Sequence, residues 1–140
     1  MEKKKVLVLC AGNSSRSQMA EAYLRLFGYN RALYYSAGIR KEGVNPRAKA
    51  IMQEDGINIS DQSCKLLSEY ANRKFDYIIS LCNEVKDICP EGLFSGCVHL
   101  HSAFRDPDDV KGSEQKIYNA YRESRDDIKK FCRRFVTNHL

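Results

Sequence analysis

Apolar positions in this chain fall into short unbroken runs separated by stretches with helical spacing. Val6 to Leu9 is a continuous apolar run ending at Cys10, and a run without alternation predicts a strand covered on both faces. Gly12, Asn13, Ser14 and Ser15 break it. A helical pattern then opens at Ser17, with Met19, Ala20, Tyr23, Leu24 and Phe27 on one side and Gly28 as a stop. Leu33 to Ala37 predicts a second strand ending at Gly38. Asn45 before Pro46 is a helix cap followed by proline at the first helical position, and that helix continues through Ala48 to Asp55 until Gly56. After a connector at Ile57 to Ser60, Ser63 to Ala71 predicts another helix. Phe75 to Leu81 predicts a buried central strand with Cys82 at its carboxyl end, and Cys97 to His101 a fourth strand. Ser113 to Asn138 has the cap, charges and apolar spacing of a long terminal helix.

Strands alternating with helices predict an α/β fold in three α-β-α layers, a four-stranded parallel sheet wound by right-handed crossovers, in one domain spanning residues 1–140. An apolar content of 43% is enough for a single core. No run approaches the roughly 18 to 20 apolar residues of a membrane span, and Met1 to Lys5 leads straight into the first strand, so the expectation is a soluble cytoplasmic protein without a membrane partner. The net charge is +5, and Lys129, Lys130, Arg133 and Arg134 are basic. They are interleaved with acids on the predicted terminal helix, which reads as a solvated face and not as a nucleic-acid surface.

Six cysteines in a chain without a secretory signal point to catalysis, redox chemistry or metal binding before structural disulfides. Cys10, Cys82 and Cys89 stand at strand ends or turns, whereas Cys64, Cys97 and Cys132 fall inside apolar patterns and are expected to be buried packing residues. The first of these positions carries the chemistry. Cys10-Ala11-Gly12-Asn13-Ser14-Ser15-Arg16-Ser17 places a thiol and a guanidinium at the two ends of a loop between strand and helix. Gly12 permits close approach, Asn13 tolerates a left-handed conformation, and the opening helix adds its positive end, so the backbone N–H groups of residues 11 to 16 form a ring suited to a tetrahedral oxyanion. Arg16 offers a two-pronged grip on two oxygens. Cys10 lies beneath the ring as the nucleophile, with Ser17 placed to donate a hydrogen bond to its sulfur. The plain alternative is a cysteine that merely ends a buried strand. Asp106, followed by Pro107 after the fourth strand, is the candidate general acid, with Asp108 and Asp109 as less constrained alternatives.

The string CAGNSSRSQMAE from Cys10 to Glu21, together with Tyr35 to Ile39, Gly43-Val44-Asn45-Pro46 and Leu81-Cys82, resembles the thioredoxin-coupled arsenate reductases over almost the whole chain. Those enzymes share the low-molecular-weight protein tyrosine phosphatase fold, so the resemblance implies that fold and leaves two activities open. The segment LCNEVKDICP matches the reductases' pair of redox cysteines, which a phosphatase does not need. Carried over, the resemblance implies that Cys10 attacks arsenate while Asp106 protonates the departing oxygen. Cys82 then attacks Cys10 as arsenite leaves, and Cys89 attacks Cys82. Thioredoxin is the implied partner, and no cofactor or metal is implied. A bridge from Cys82 to Cys89 needs a bend between them, because the ends of a regular helix of that length lie beyond the roughly 7 Å Cα limit; the segment is expected to be mobile. Two rivals stand beside this reading: phosphate-monoester hydrolysis through a Cys10 phosphocysteine, and a noncatalytic module binding an anion, or a metal through Cys82, Cys89, Cys97, His99 and His101.

Some reductases of this kind hold a potassium ion beside the loop through residues matching Asn13, Glu21 and Ser36 and an aspartate. This chain has Lys65 at the aspartate position. Its ammonium is expected to replace the cation and pair with Glu21. Arg105, next to Asp106, would lower the pKa of that acid if the two lie close together and so blunt its use near neutrality.

Overall fold

The computed structural model describes residues 2–87 and 96–140. Four strands, β1 (Lys4–Leu9), β2 (Ala32–Ala37), β3 (Tyr77–Ser80) and β4 (Val98–His101), form one parallel sheet in the order β2-β1-β3-β4. Its helices are α1 (Arg16–Gly28), α2 (Pro46–Glu54) and α3 (Glu114–His139). β1 lies between β2 and β3, and Val6, Leu7, Val8 and Leu9 are at most 1% exposed. That explains why this strand reads as an unbroken apolar run. Among the described residues no helix is long and apolar enough to cross a membrane.

Adjacent tyrosines on β2 show what covers each face. Tyr34 points toward α1 and α3, where its ring tip fills the notch left by Gly28: a Cβ there would sit 1.7 Å from the Tyr34 hydroxyl oxygen. Tyr35 points the other way, into an edge-to-face cluster with Tyr70 and Phe75. The second face is thus covered by the stretch leading into β3, where a helix from Ser63 to Ala71 was expected.

That helix does not form. Only a single 3-10 turn, Leu67–Tyr70, is present. Residues 63 to 67 instead spend their backbone groups on the loop that follows β1 and on the end of β2. Lys65 N–H donates to Asn13 Oδ1 (2.7 Å), Gly38 N–H to Lys65 O (2.9 Å) and Leu67 N–H to Gly38 O (2.8 Å). Pairing with distant partners has displaced the local bonds a helix requires.

The helix caps follow the sequence. Asn45 Oδ1 accepts from the N–H of Arg47 and Ala48, and Ser113 caps α3 through Lys116 N–H. α2 lies against α3, joined by Arg122 to Glu54 (2.8 Å) and Lys129 to Asp55 (2.8 Å). Because the chain leaves β1 for β2 on one side and later returns to β3 on the other, the carboxyl ends of β1 and β3 flank a crevice, the usual ligand position in an open parallel sheet. Cys10 follows β1 and Cys82 follows β3, so neighbouring strands carry the two sulfurs to that crevice.

Candidate active site

The loop between Leu9 and Arg16 owes its shape to the bonds on its outer side. The carbonyl of Ala11 accepts from the N–H of Ile39 and Arg40 (2.8 and 3.0 Å), that of Gly12 from Glu42 (3.2 Å) and that of Ser14 from Asn45 (3.1 Å). Asn13 O accepts from Gln18 Nε2 (2.9 Å) and from the Cys64 thiol (2.9 Å). In a trans peptide the carbonyl and the next N–H point in opposite directions. Turning these carbonyls outward therefore directs amide hydrogens into the small cavity, about 20 Å³, lined by Cys10, Gly12, Ser15, Arg16 and Asp106 among others. This cup opens into a cleft of about 440 Å³ that Cys82 also lines. Gly38 makes the close packing feasible, since a Cβ there would lie 2.7 Å from Ala11 O and 2.8 Å from Asn13 N.

Asn13 orders the site from below. It is fully buried, with φ at 50°, in the left-handed region that asparagine tolerates better than most residues. Its Nδ2 donates to Ser17 Oγ (2.8 Å) and Ser36 Oγ (3.0 Å), while its Oδ1 accepts from Lys65 N–H and Gln18 Nε2. Ser36 passes its own hydrogen to Glu21 Oε1 (2.6 Å). Ser17 therefore accepts from Asn13 and has its hydroxyl hydrogen free for the Cys10 sulfur, 2.8 Å away. That bond holds the sulfur beneath inward amides and the N-terminus of α1 and remains available to it as a leaving group.

Glu21 is 4% exposed and faces two basic side chains. Arg25 Nη2 reaches its Oε2 at 3.0 Å and Lys65 Nζ lies 3.7 Å from its Oε1, also donating to Ser63 O (2.7 Å). The expected meeting of Lys65 and Glu21 is thus present in the structure.

On the other side of the cup, Arg16 is 8% exposed; it donates to Phe104 O (2.9 Å) and to Asp106 Oδ2 (3.3 Å). The cationic partner of Asp106 is Arg16, not the adjacent Arg105, because the turn carries the carboxylate back over the loop. Asp106 Oδ1 caps the 3-10 turn Pro107–Asp109 through Asp108 N–H (3.0 Å). Asp108 is more constrained than its sequence position suggested, since its Oδ1 accepts from Tyr121 OH (2.9 Å). Burial, followed by that bond to an acid, pushes the Tyr121 hydroxyl far above its ordinary pKa and keeps it a donor.

Cys82 is 7% exposed and lies in the cleft with Gly12, Arg16 and Asp106. Cys89 lies outside the described residues; of the segment before it, expected to bend and to be mobile, Cys82 to Asp87 is described and opens with a 3-10 turn, Asn83–Val85, while the rest lies outside them. Two cysteine expectations change. Cys64 and Cys97 are only partly buried, and Cys64 is a donor to the loop instead of packing; its desolvation raises the thiol's pKa and keeps the hydrogen on sulfur. Cys132 is fully buried and packs as expected, its pKa raised by desolvation. His99 and His101 both turn to Ser80 Oγ (3.1 and 2.7 Å), and among the described residues no three His, Cys, Asp or Glu side chains gather as a metal site.

Sequence reading did not find Arg40, Glu42 and Glu84, which line the mouth of the cleft. No local motif joins them, because Arg40 and Glu84 meet only through the fold.

Comparison with known proteins fits this geometry. The family model for low molecular weight phosphotyrosine protein phosphatase matches residues 5–139. An arsenate reductase of Halalkalibacterium halodurans is 37% identical over 136 residues, covering 97% of each chain. An arsenate reductase in its phosphate-binding state superposes with a TM-score of 0.78 at 28% identity, covering 98% of this chain and 99% of the other. The thioredoxin-dependent arsenate reductase of Corynebacterium glutamicum gives 0.65 at 27% identity, covering 94% of this chain and 62% of that one.

Proposed function

Because the chain belongs to the low molecular weight phosphotyrosine protein phosphatase family, with arsenate reductases among its relatives, we propose that it reduces arsenate to arsenite by a relay of Cys10, Cys82 and Cys89, recharged by thioredoxin in the cytoplasm. The observation that carries this reading is the second buried thiol, Cys82, in the cleft into which the Cys10 cup opens. Hydrolysis by water needs no such group.

The loop from Ala11 to Arg16, with the inward amides of residues 12 to 15, and the Arg16 guanidinium take the oxygens of arsenate. The Cys10 sulfur attacks arsenic, its thiol proton passes by way of the Asp106 carboxylate to the departing oxygen, and that oxygen leaves as water. Ser17 stabilises the sulfur before attack and again when it must leave. The Cys82 thiolate then attacks the Cys10 sulfur. A disulfide forms, the sulfur–arsenic bond breaks, and its electron pair stays on arsenic, which leaves as arsenite. Both sulfurs have been oxidised and arsenic reduced by two electrons. Cys89 next attacks Cys82, frees Cys10, and leaves a Cys82–Cys89 disulfide for a dithiol protein to reduce.

Arsenate-dependent oxidation of reduced thioredoxin tests the proposal. Cys82→Ser should abolish it. Cys89→Ser should permit a single turnover that ends with Cys10 bonded to Cys82. Unchanged arsenite production with serine at 82 would overturn the relay. The second reading is phosphate-monoester hydrolysis, since the loop and Asp106 are complete without Cys82; aryl phosphate hydrolysis that survives Cys82→Ser would favour it.

A further inference from the structure

The two residues that follow Cys82 are held from opposite sides by partners outside the oxyanion loop. Asn83 Oδ1, which can only accept, lies 3.1 Å from His101 Nε2 at the end of β4, so that nitrogen carries a hydrogen. In the neutral ring the other nitrogen of His101, Nδ1, accepts from Ser80 Oγ (2.7 Å). With its own hydrogen directed there, fully buried Ser80 accepts from His99 Nε2 (3.1 Å), and burial lowers the pKa of His99, which favours the neutral ring. A directional row of hydrogen bonds thus runs from β4 through β3 to Asn83. On the opposite side Glu84 receives both arms of Arg40, Nη1 to Oε1 at 2.9 Å and Nη2 to Oε2 at 3.3 Å. Arg40 is itself anchored, since its backbone N–H donates to Ala11 O in the oxyanion loop and its Nε reaches Glu42 Oε1 at 3.5 Å.

We infer that Arg40 and His101 are positioning residues that set where Cys82 stands relative to the Cys10 adduct. This inference rests on the relay reading. Neither residue touches the nucleophilic sulfur, and neither supplies a proton or an electron. Each fixes one of the two residues that follow Cys82, and Arg40 does so from a backbone bonded to the loop that binds substrate. The distance between the attacking and the attacked sulfur is therefore referenced directly to the oxyanion cup. In-line attack on a sulfur is steep in distance and angle, so a loosened Cys82 meets the adduct less often while the cup still binds its anion.

An exposed bidentate ion pair limits what Arg40 contributes, so Arg40→Gln should slow formation of the Cys10–Cys82 disulfide about two- to fivefold. The His101 bond to Asn83 is likewise exposed, so His101→Ala should slow it about two- to fivefold as well. The experiment follows a single turnover of the full chain with arsenate, trapped by rapid alkylation and read by mass spectrometry, beside the dissociation constant for inorganic phosphate. Phosphate binding should stay within about twofold of the parent while the disulfide rate falls. The charge-reversed pair Arg40→Glu with Glu84→Arg should recover most of the rate, a rescue that general loosening of the fold does not give. Raising the salt concentration should slow the parent chain toward the Arg40→Gln rate and leave that variant unchanged. If the parent forms the disulfide and the variants form it equally fast, or if phosphate binding and disulfide rate fall together without rescue, the positioning role is wrong and the relay stands. If the parent forms no Cys10–Cys82 disulfide, the relay falls and this inference falls with it.

Discussion

Replacing Asn13 by alanine and, separately, by glycine divides what that residue contributes into a side-chain part and a backbone part. The side chain makes hydrogen bonds to Ser17, Ser36, Lys65 N–H and Gln18, in a position with no solvent exposure. At about 1 kcal/mol net for each of four buried bonds, both variants should lose about 4 kcal/mol. Alanine alone must also hold a φ of 50°, which for an ordinary L-residue adds about 1 to 2 kcal/mol. Glycine avoids that strain, though its freer unfolded chain offsets part of the gain, about 0.4 to 1 kcal/mol. Urea unfolding followed by far-UV circular dichroism measures both losses, with the slope m checked to be constant so that the midpoints report stability alone. Glycine should come out more stable than alanine, and both well below the parent. Turnover should fall in both folded variants, because Ser17 loses the partner that aims its hydroxyl at Cys10. If alanine costs less than about 1 kcal/mol, or if Ser17→Ala on top of Asn13→Gly lowers turnover as much as Ser17→Ala does alone, the ordering role given to Asn13 is wrong.

Three further outcomes follow from other contacts. Gly38→Ala should cost about 1 to 3 kcal/mol as an overpacked site, because the new methyl meets backbone atoms of Ala11 and Asn13 that cannot move without opening the cup; phosphate affinity should fall with stability. Asp55 has its pKa lowered by the hydrogen bond from Lys129 and then by that from Tyr23. A carboxylate with a depressed folded pKa stabilises fully above its unfolded value near 4 and loses that contribution as pH falls through the folded value. Asp55→Asn should therefore flatten the acid limb of stability below about pH 4, measured by urea midpoints at stepped pH; an unchanged limb would refute the assignment. Finally, with Lys65 Nζ beside Glu21, turnover should be the same in potassium and choline salts, whereas Lys65→Ala should make it depend on potassium. Strong potassium activation of the parent chain would show that the ammonium does not fill the cation's place.

The parts of the fold that were legible in the sequence are those whose signal is local. β1 could be read because a strand covered on both faces has no polar positions, and α2 because Asn45-Pro46 is both cap and start. The oxyanion loop was legible for a similar reason, since thiol, glycine, asparagine and arginine sit within one turn of chain. The stretch from Ser63 to Ala71 misled because its apolar spacing is helical while its backbone partners are Asn13 and Gly38, far away in the chain. Cys64 misled similarly: an apolar neighbourhood in sequence does not reveal that Asn13 O lies 2.9 Å away. Asp108 looked loose until Tyr121, on the first part of α3, supplied its partner. The clamp of Arg40 on Glu84 leaves no trace in either segment taken alone.

The outward bonding of the loop carbonyls to residues 39, 40, 42 and 45 has a thermodynamic consequence for ligand choice. The receptor is assembled during folding, so an arriving guest has little chain entropy to freeze and little scope to reshape its host. Discrimination then depends on size and charge alone, in which arsenate and phosphate are near twins. Competition from cellular phosphate is therefore inherent in the architecture, and chemical selectivity must arise after capture, from the greater ease with which arsenic accepts an electron pair.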